Sequence, residues 1–340
     1  MTQPSIPPSP KLDERSLRQR LSAFRQSHRS RSIFQLLNSL LPYAALWVLA
    51  YYALAYSIWL VLPISIIAAG FLVRIFIIFH DCGHWSFFRS DGANQFWGVL
   101  TGILTFTPFH YWRASHARHH AGSGNLDKRG HGDVWMMTVR EYLEASRMTK
   151  LQYRLYRNPL VMFFLGPLYI TLVAYRFVRG KTTAKERLSV YGTNLGILAI
   201  AVLMSWLIGF KAYLIIQLPV LFIAQVGGIW LFYVQHQFDG VYWSRQRQWD
   251  FLSASLEGGS YYKLPRILQW FTGNIGYHHI HHLDSRVPNY HLPKVHDELP
   301  EVQSAPTLRL FSSLKSLRYR LWDEKQRKLV GFGRVGETVS

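Results

Sequence analysis

Two long stretches almost free of basic residues constrain this chain more than any other feature. No Lys or Arg occurs between residues 33 and 73, and between 190 and 236 there is only Lys211. About 20 consecutive apolar residues suffice for a helix to cross hydrocarbon, so each stretch holds two such helices joined by a short tip. The spans read as roughly 36–56, 57–79, 190–209 and 213–236. Two weaker stretches, 95–109 (QFWGVLTGILTFTPF) and 159–175 (PLVMFFLGPLYITLVAY), are shorter, broken by Gly and Pro and bounded by ionisable residues. That pattern suits re-entrant or interfacial placement.

The expected fold is an all-α membrane protein: four transmembrane helices carrying a cytosolic helical cap. The leader 1–32, the middle segment 113–187 and the C-terminal third hold most of the Lys and Arg. By the positive-inside rule these three regions face the cytoplasm, which for a bacterial chain means the inner membrane. The chain then divides into a basic cytosolic N-terminal segment, 1–32, a main domain, 33–300, and a basic cytosolic C-terminal tail, 301–340. A net charge of +19 with 49% apolar and 15% aromatic residues is an unusual combination for a soluble protein and points to a membrane protein. No module signature supports nucleic-acid binding. The first residues lack the charged, apolar, small order of a cleaved signal peptide. Cys82, the one cysteine, allows no internal disulfide and reads as a packed thiol. Arg74, inside the second span, is expected to snorkel toward the cytoplasmic interface.

Three groups stand out among the 15 histidines: His80 and His84 in HDCGH, His116, His119 and His120 in HARHH, and His278, His281 and His282 in HHIHH. Residues three and four apart share a helix face, so each group presents imidazoles in one direction. For one site to use all three, the number of membrane crossings between any two must be even. Four spans satisfy that condition if 95–109 and 159–175 do not cross. His236 closes the fourth span at the same end, and an ionisable residue in a membrane helix is a functional candidate. His279 lies on a different helical face from its neighbours and is expected not to be a ligand.

Nine imidazoles exceed what one metal accepts, since a structural zinc takes four ligands and a catalytic zinc three. A pair of iron ions, each holding four or five imidazoles with a position left open, accounts for the number. Nearby carboxylates would orient the rings. Asp81, Asp127, Asp133 and Asp284 are candidates, with His110 and Asn194 as further residues that could support the ligands from behind. Iron of this kind activates dioxygen against unactivated C–H bonds, and a lipid acyl chain is the substrate most available to such a fold.

HDCGHWSFF, WRASHARHH and GNIGYHHIHHLDSRVPNY resemble, in order and spacing, the three histidine boxes of the membrane-bound fatty acid desaturases. The stretches from SGNLDKRGHGDVW through NPLVMFFLGP, and from VQHQFDGVYW to NIGYHH, are similar to bacterial acyl-lipid desaturases of the delta-5 type, which act on phospholipid acyl chains. The resemblance implies four spans under a cytosolic cap, a non-haem di-iron centre and oxygen-dependent insertion of a cis double bond. It implies His80, His84, His116, His119, His120, His236, His278, His281 and His282 as ligands, with no catalytic residue beyond the metal centre. Some relatives place an asparagine one turn before the histidine matching His236; here that position is Phe232, and Asn194 in the third span is read either as its replacement or as one partner of a helix–helix hydrogen bond.

No Rossmann fingerprint, haem motif or cluster of cysteines is present, so electrons must come from an external donor. An acidic ferredoxin or flavodoxin would be steered to the basic face. A lipid hydroxylase on the same scaffold is the alternative enzyme. The non-enzyme alternatives are a metal transporter, whose ligands belong near the bilayer midplane, and a degenerate lipid-binding scaffold, which would lack ligands.

Overall fold

The computed structural model describes residues 14–130 and 132–334. Residues 1–13 of the expected N-terminal segment and 335–340 of the expected tail lie outside that range. The chain begins with α1 (Glu14–Ser22) and then forms a hairpin of α2 (Arg29–Leu54) and α3 (Val61–Gly83). At the hairpin tip the Ser57 side chain accepts from Trp59 N at 3.2 Å and starts a 3-10 turn, Ile58–Leu60. Next come α4 (Asp91–Leu104) and α5 (Phe109–Gly122), then the short β1 (Met137–Thr138), α6 (Val139–Glu144) and α7 (Arg147–Tyr156). Residues 161–174 form one helical run in which α8 (Gly166–Tyr169) is flanked by the π turns Val161–Leu165 and Ile170–Ala174.

The second hairpin is α9 (Ala184–Ile208) and α10 (Phe210–His236). A reciprocal cap starts α9: Thr183 Oγ1 accepts from Glu186 N, and Glu186 Oε2 accepts from Thr183 N at 2.9 Å. Gly209 joins the two helices at φ 87°, a left-handed conformation that costs glycine little. The remaining elements are α11 (Phe251–Leu256), β2 (Tyr261–Lys263), α12 (Arg266–Phe271), α13 (His278–Leu283), α14 (Leu292–Glu298), β3 (Thr307–Arg309), β4 (Leu321–Asp323) and β5 (Lys328–Val330).

Four helices among the described residues are long and apolar enough to cross a membrane: Arg29–Leu54, Ile58–Gly83, Ala184–Ile208 and Phe210–His236. They coincide with the four spans expected, with ends that differ by up to seven residues. α3 is central because it is the most apolar and packs against α2, α4 and α10. α9 is exposed almost all round, as a helix facing lipid on most sides must be. The pair Arg147–Tyr156 and Val161–Ala174 also passes for a membrane segment but bends by 65°, a broken span or a re-entrant loop.

The stretch 95–109 forms most of α4 and the turn Thr105–Pro108 that leads into α5, so that the two helices make a hairpin with this turn as its tip. Gly102 lets that tip fold back, since a Cβ there would lie 2.6 Å from Thr107 O. In apolar surroundings the tip's free carbonyls need donors. Gln225 Nε2 donates to Thr105 O at 3.2 Å, and Arg176 Nη2 donates to Phe106 O. Arg176 Nη1 also donates to Asn194 Oδ1 at 2.7 Å, while Asn194 Nδ2 donates to Arg176 O at 2.8 Å. Phe106 sits at φ 59°, a conformation that needs such support. Arg176→Leu leaves a buried carbonyl and the Asn194 oxygen unpartnered and should lower stability by about 2–4 kcal/mol. Thermal unfolding in detergent reads it, with partial recovery in Arg176→Lys.

The cap is mostly helical but also holds two small sheets. One has the order β1-β4-β5, with β1 parallel to β4 and β4 antiparallel to β5; the other pairs β2 with β3 in parallel. Residues 301–334 are built into the cap, where the sequence suggested a separate tail. Leu321, Trp322, Leu329 and Val330 are buried, and each sheet pairs a strand from before residue 300 with one from after it. Three-residue strands carry no periodicity to read, and only their distant partners define them. Arg74 does not snorkel to water. It is buried, donates to Trp270 O and stacks on the Trp270 ring at 4.0 Å. Cys82 is a packed thiol within the apolar cluster of Ile78, Phe79, Phe87 and Phe109.

Candidate metal centre

The histidines stand where helices end at one level of the bundle. His80 lies in the last turn of α3 and His84 directly follows that helix; His236 is the last residue of α10. α5 carries His116, His119 and His120, and the six-residue α13 carries His278, His281 and His282. α11, α14 and α1 pack over α13 through Leu256, Ile280, Val295, Leu17 and Leu21, which fixes this short helix in place.

The nine residues fall into two groups. His80, His84, His116, His120 and His281 form one, and His119, His236, His278 and His282 the other, each with its donor nitrogens within 4.8 Å of one another. The groups are adjacent, since the His120 and His282 rings stack at 4.3 Å. Each of the two later boxes is shared: α5 sends His116 and His120 one way and His119 the other, and α13 divides likewise.

Within the first group the Nε2 atoms of His80 and His116 are 3.1 Å apart, those of His116 and His120 3.1 Å, and those of His120 and His281 3.0 Å. In the second, His119 and His236 approach to 3.2 Å, His236 and His278 to 2.8 Å, and His278 and His282 to 3.1 Å. Two nitrogens bound at right angles to one ion, each about 2.1 Å away, lie about 3.0 Å apart, whereas tetrahedral ligands lie about 3.4 Å apart. The separations are those of donors that could share one ion.

The opposite ring nitrogens set the tautomers. His80 Nδ1 lies 3.2 Å from Asp81 Oδ1, His119 Nδ1 meets Asp133 Oδ1, and His236 Nδ1 donates to Gly258 O at 3.2 Å. A proton on each of these Nδ1 atoms leaves Nε2 as a bare lone pair aimed into its group. Lone pairs facing one another at about 3 Å repel unless a cation lies between them. His84 Nε2 is buried with no hydrogen-bond partner, as a nitrogen reserved for a metal would be. Burial, reinforced by neighbouring imidazoles, holds His84, His116, His120, His278, His281 and His282 well below the usual imidazole range. They are neutral at physiological pH, the form that binds metal.

Asp81 Oδ2 in turn accepts from Asn289 N at 2.7 Å and Asn289 Nδ2 at 2.8 Å, and Gln35 Nε2 donates to Asn289 Oδ1 at 3.1 Å. α2, α3 and the segment after α13 are thus tied behind one imidazole. Asn289 and the Gly258 carbonyl are absent from the sequence-based candidates. The glycine pair was the available signal: a Cβ on Gly258 would lie 2.3 Å from Ala254 O, and one on Gly259 3.1 Å from Ser255 O. Only glycine lets this backbone come so close.

Four other residues expected to support the ligands lie elsewhere. Asp284 pairs with Arg25 at 2.5 Å, and Asp127 accepts from Arg245 Nη1 and Gln246 N at 2.8 Å each. Asn194 is held by Arg176, so it does not replace the asparagine missing at Phe232. His110 belongs to neither group; its ring lies against Phe109, and burial pushes its pKa down to about 4. Asp127 and Asp284 are drawn to these places by arginines distant in sequence, which spacing does not reveal. His279 also lies outside both groups, buried, with its pKa pushed down to about 3.

A cavity of about 610 Å³ opens directly onto the groups. His80, His116 and His278 line it, together with Leu72, Phe76 and Ile77 of α3 and Gly228, Ile229 and Phe232 of α10. Met162, Leu165 and Ile170 of the run 161–174 line it as well. Phe232 stands 5.1 Å, ring to ring, from both His119 and His236, where it supplies an apolar wall. The cavity joins clustered donors to a slot suited to a flexible apolar chain.

Comparison with known proteins gives one family. The model of the family described as "Fatty acid desaturase" matches residues 57–313. A fatty acid desaturase of Bacillus subtilis (strain 168) is 49% identical over 319 residues, covering 94% of this chain and 91% of that protein. The sn-1 acyl-lipid omega-3 desaturase (ferredoxin) of Synechocystis sp. is 27% identical over 75% of this chain and 72% of its own length. The sn-1 oleoyl-lipid 12-desaturase of Picosynechococcus sp. is 28% identical over 74% and 72% respectively.

Proposed function

Because the chain belongs to the fatty acid desaturase family, we propose that its two histidine groups hold two iron ions, five imidazoles around one and four around the other, above a slot for the acyl chain of a membrane lipid. The observation that carries this reading is the opening of an apolar cavity onto His80, His116 and His278. The bound iron pair would supply the oxidising power that, with dioxygen, two external electrons and two protons, removes one hydrogen from each of two adjacent methylenes and releases two waters.

The protein's own part is placement. Leu72, Phe76 and Ile77 face Ile229 and Phe232 across the slot, exclude water and hold the methylenes beneath the imidazoles. Asp81 and Asp133 fix the His80 and His119 rings so that their Nε2 lone pairs point at the metals. Histidines at the ends of α3 and α10, not at their middles, favour this reading over a transporter.

The lipid-linked substrate is supported by relatives named for acyl-lipid substrates, and a ferredoxin donor by one named with ferredoxin; a flavodoxin would be drawn to the same basic face. The basic segments favour a cytoplasmic active site in the bacterial inner membrane. Gas chromatography with mass spectrometry of lipids from an expressing host tests the reaction and its substrate: a new alkene supports the proposal, a hydroxyl group would make the chain a hydroxylase, and unchanged lipids would refute it. Asp133→Asn keeps the size of the residue but weakens its hold on the His119 tautomer. Iron affinity and desaturation should fall about 10- to 100-fold, read by metal titration and product yield.

A further inference from the structure

The cap carries large apolar side chains on a surface that belongs to no site described above. On α12, Ile267 is 72% exposed, with Leu268 and Trp270 exposed beside it. On the 3-10 helix Ser312–Arg318 and the residue before it, Phe311 is 81% exposed and Leu314 is exposed as well. The two elements are neighbours. β2 leads into α12 and β3 leads to the 3-10 helix, and the strands pair with Lys263 opposite Arg309.

Their depth is fixed by the spans. The Phe271 ring approaches α3 so closely that a Cβ on Gly70 would lie 2.9 Å from it, and the Trp270 ring meets Phe71 edge-on at 5.7 Å and lies against the Arg74 guanidinium at 4.0 Å. Gly70 precedes His80 by ten residues, about 15 Å of helix on the bilayer side of the histidines. The 3-10 helix rests on α10 in the same way: Tyr233 Oη donates to Ser316 O at 2.8 Å, and Tyr262 Oη, bound to Ser313 Oγ at 3.0 Å, accepts from Trp230 Nε1 at 3.3 Å. Trp230 precedes His236 by six residues, about 9 Å. Arg74 donates to the Trp270 carbonyl and so supplies a cation at the C-terminal end of α12. Exposed basic residues Lys263, Arg266, Arg309, Lys315 and Arg318 lie on or beside these same elements.

We propose that α12 and the Ser312–Arg318 helix form a platform sunk in the leaflet that receives the ends of α3 and α10. Ile267, Leu268, Trp270, Phe311 and Leu314 lie among acyl chains, and the basic residues lie among anionic headgroups. An apolar surface of this extent is uncommon in water. Basic residues beside an apolar face are the pattern of elements that lie in a membrane interface. The cap would then be keyed into the bilayer at the level of the acyl slot, which sets the depth at which a lipid-linked chain is presented.

Because Cys82 is buried, single cysteines can be labelled in the native background. Nitroxides at Ile267→Cys, Phe311→Cys and Glu298→Cys in the full chain, reconstituted in phosphatidylcholine vesicles containing phosphatidylglycerol, would be compared by their collision rates with oxygen and with a water-soluble nickel chelate. Labels at 267 and 311 should favour oxygen at least several-fold more than the label at 298, where the exposed neighbours are polar. Nickel-dominated relaxation at 267 and 311 would overturn the proposal. So would dipolar broadening between copies at those positions, since a second chain would then cover the face.

Discussion

His281→Ala and His282→Ala should each abolish desaturation in an expressing host, lowering product yield by at least about 1000-fold, and should reduce bound iron from about two per chain toward one. The two substitutions strike different groups: His281 belongs to the five-histidine set and His282 to the four-histidine set. Each imidazole contributes a lone pair that nothing else nearby replaces. Each alanine also leaves the remaining donors facing one another across a gap. If the two groups act as one centre, losing either is as damaging as losing both, because effects within a catalytic unit are grossly non-additive. Product by gas chromatography and iron by plasma emission read the two consequences separately. Normal unsaturation in either variant would refute the two-metal assignment. Loss of product with both irons retained would point to a role for that histidine other than ligation. His279→Ala is the internal control: the residue is equally buried and adjacent to a ligand, yet belongs to neither group, so iron content should stay near two.

Gly228→Trp should block the slot. Gly228 lines the cavity, and nothing lies within 4 Å of the position its Cβ would take. It precedes His236 by eight residues on α10, so the added indole would enter about 12 Å below the histidines. Acyl chains that extend past that depth would be excluded. The expected result is at least about a 100-fold loss of product from long-chain lipids, with iron content unchanged. Gly228→Ala, which adds one methyl group into open space, should retain most activity. Wild-type yield from the tryptophan variant would mean that the substrate does not pass between α3 and α10.

Much of this architecture was written locally in the chain. The apolar runs located the four spans because a helix in hydrocarbon must satisfy its backbone within itself and show apolar side chains to lipid. The three boxes were legible because i, i+3 and i+4 spacing gathers imidazoles by helix geometry alone, and the requirement for an even number of crossings placed them at one level. Asp81 could be suspected because it adjoins a box histidine in sequence.

What the sequence by itself determined, then, is the four helices long and apolar enough to cross a membrane, the identity of the nine clustered histidines and their resemblance to one enzyme family. Only the tertiary structure decided how those histidines divide, because α5 and α13 each place rings on two sides and the partition depends on how α3, α5, α10 and α13 meet. It also decided that Asp133 and the Gly258 carbonyl orient rings while Asp127, Asp284 and Asn194 serve arginines, that residues 301–334 complete the cap, and that Arg74 lies beneath Trp270. Those outcomes turn on contacts between residues tens to hundreds of positions apart. A side chain's partner in a packed interior is set by which elements come together there, and local spacing records only the element it rides on.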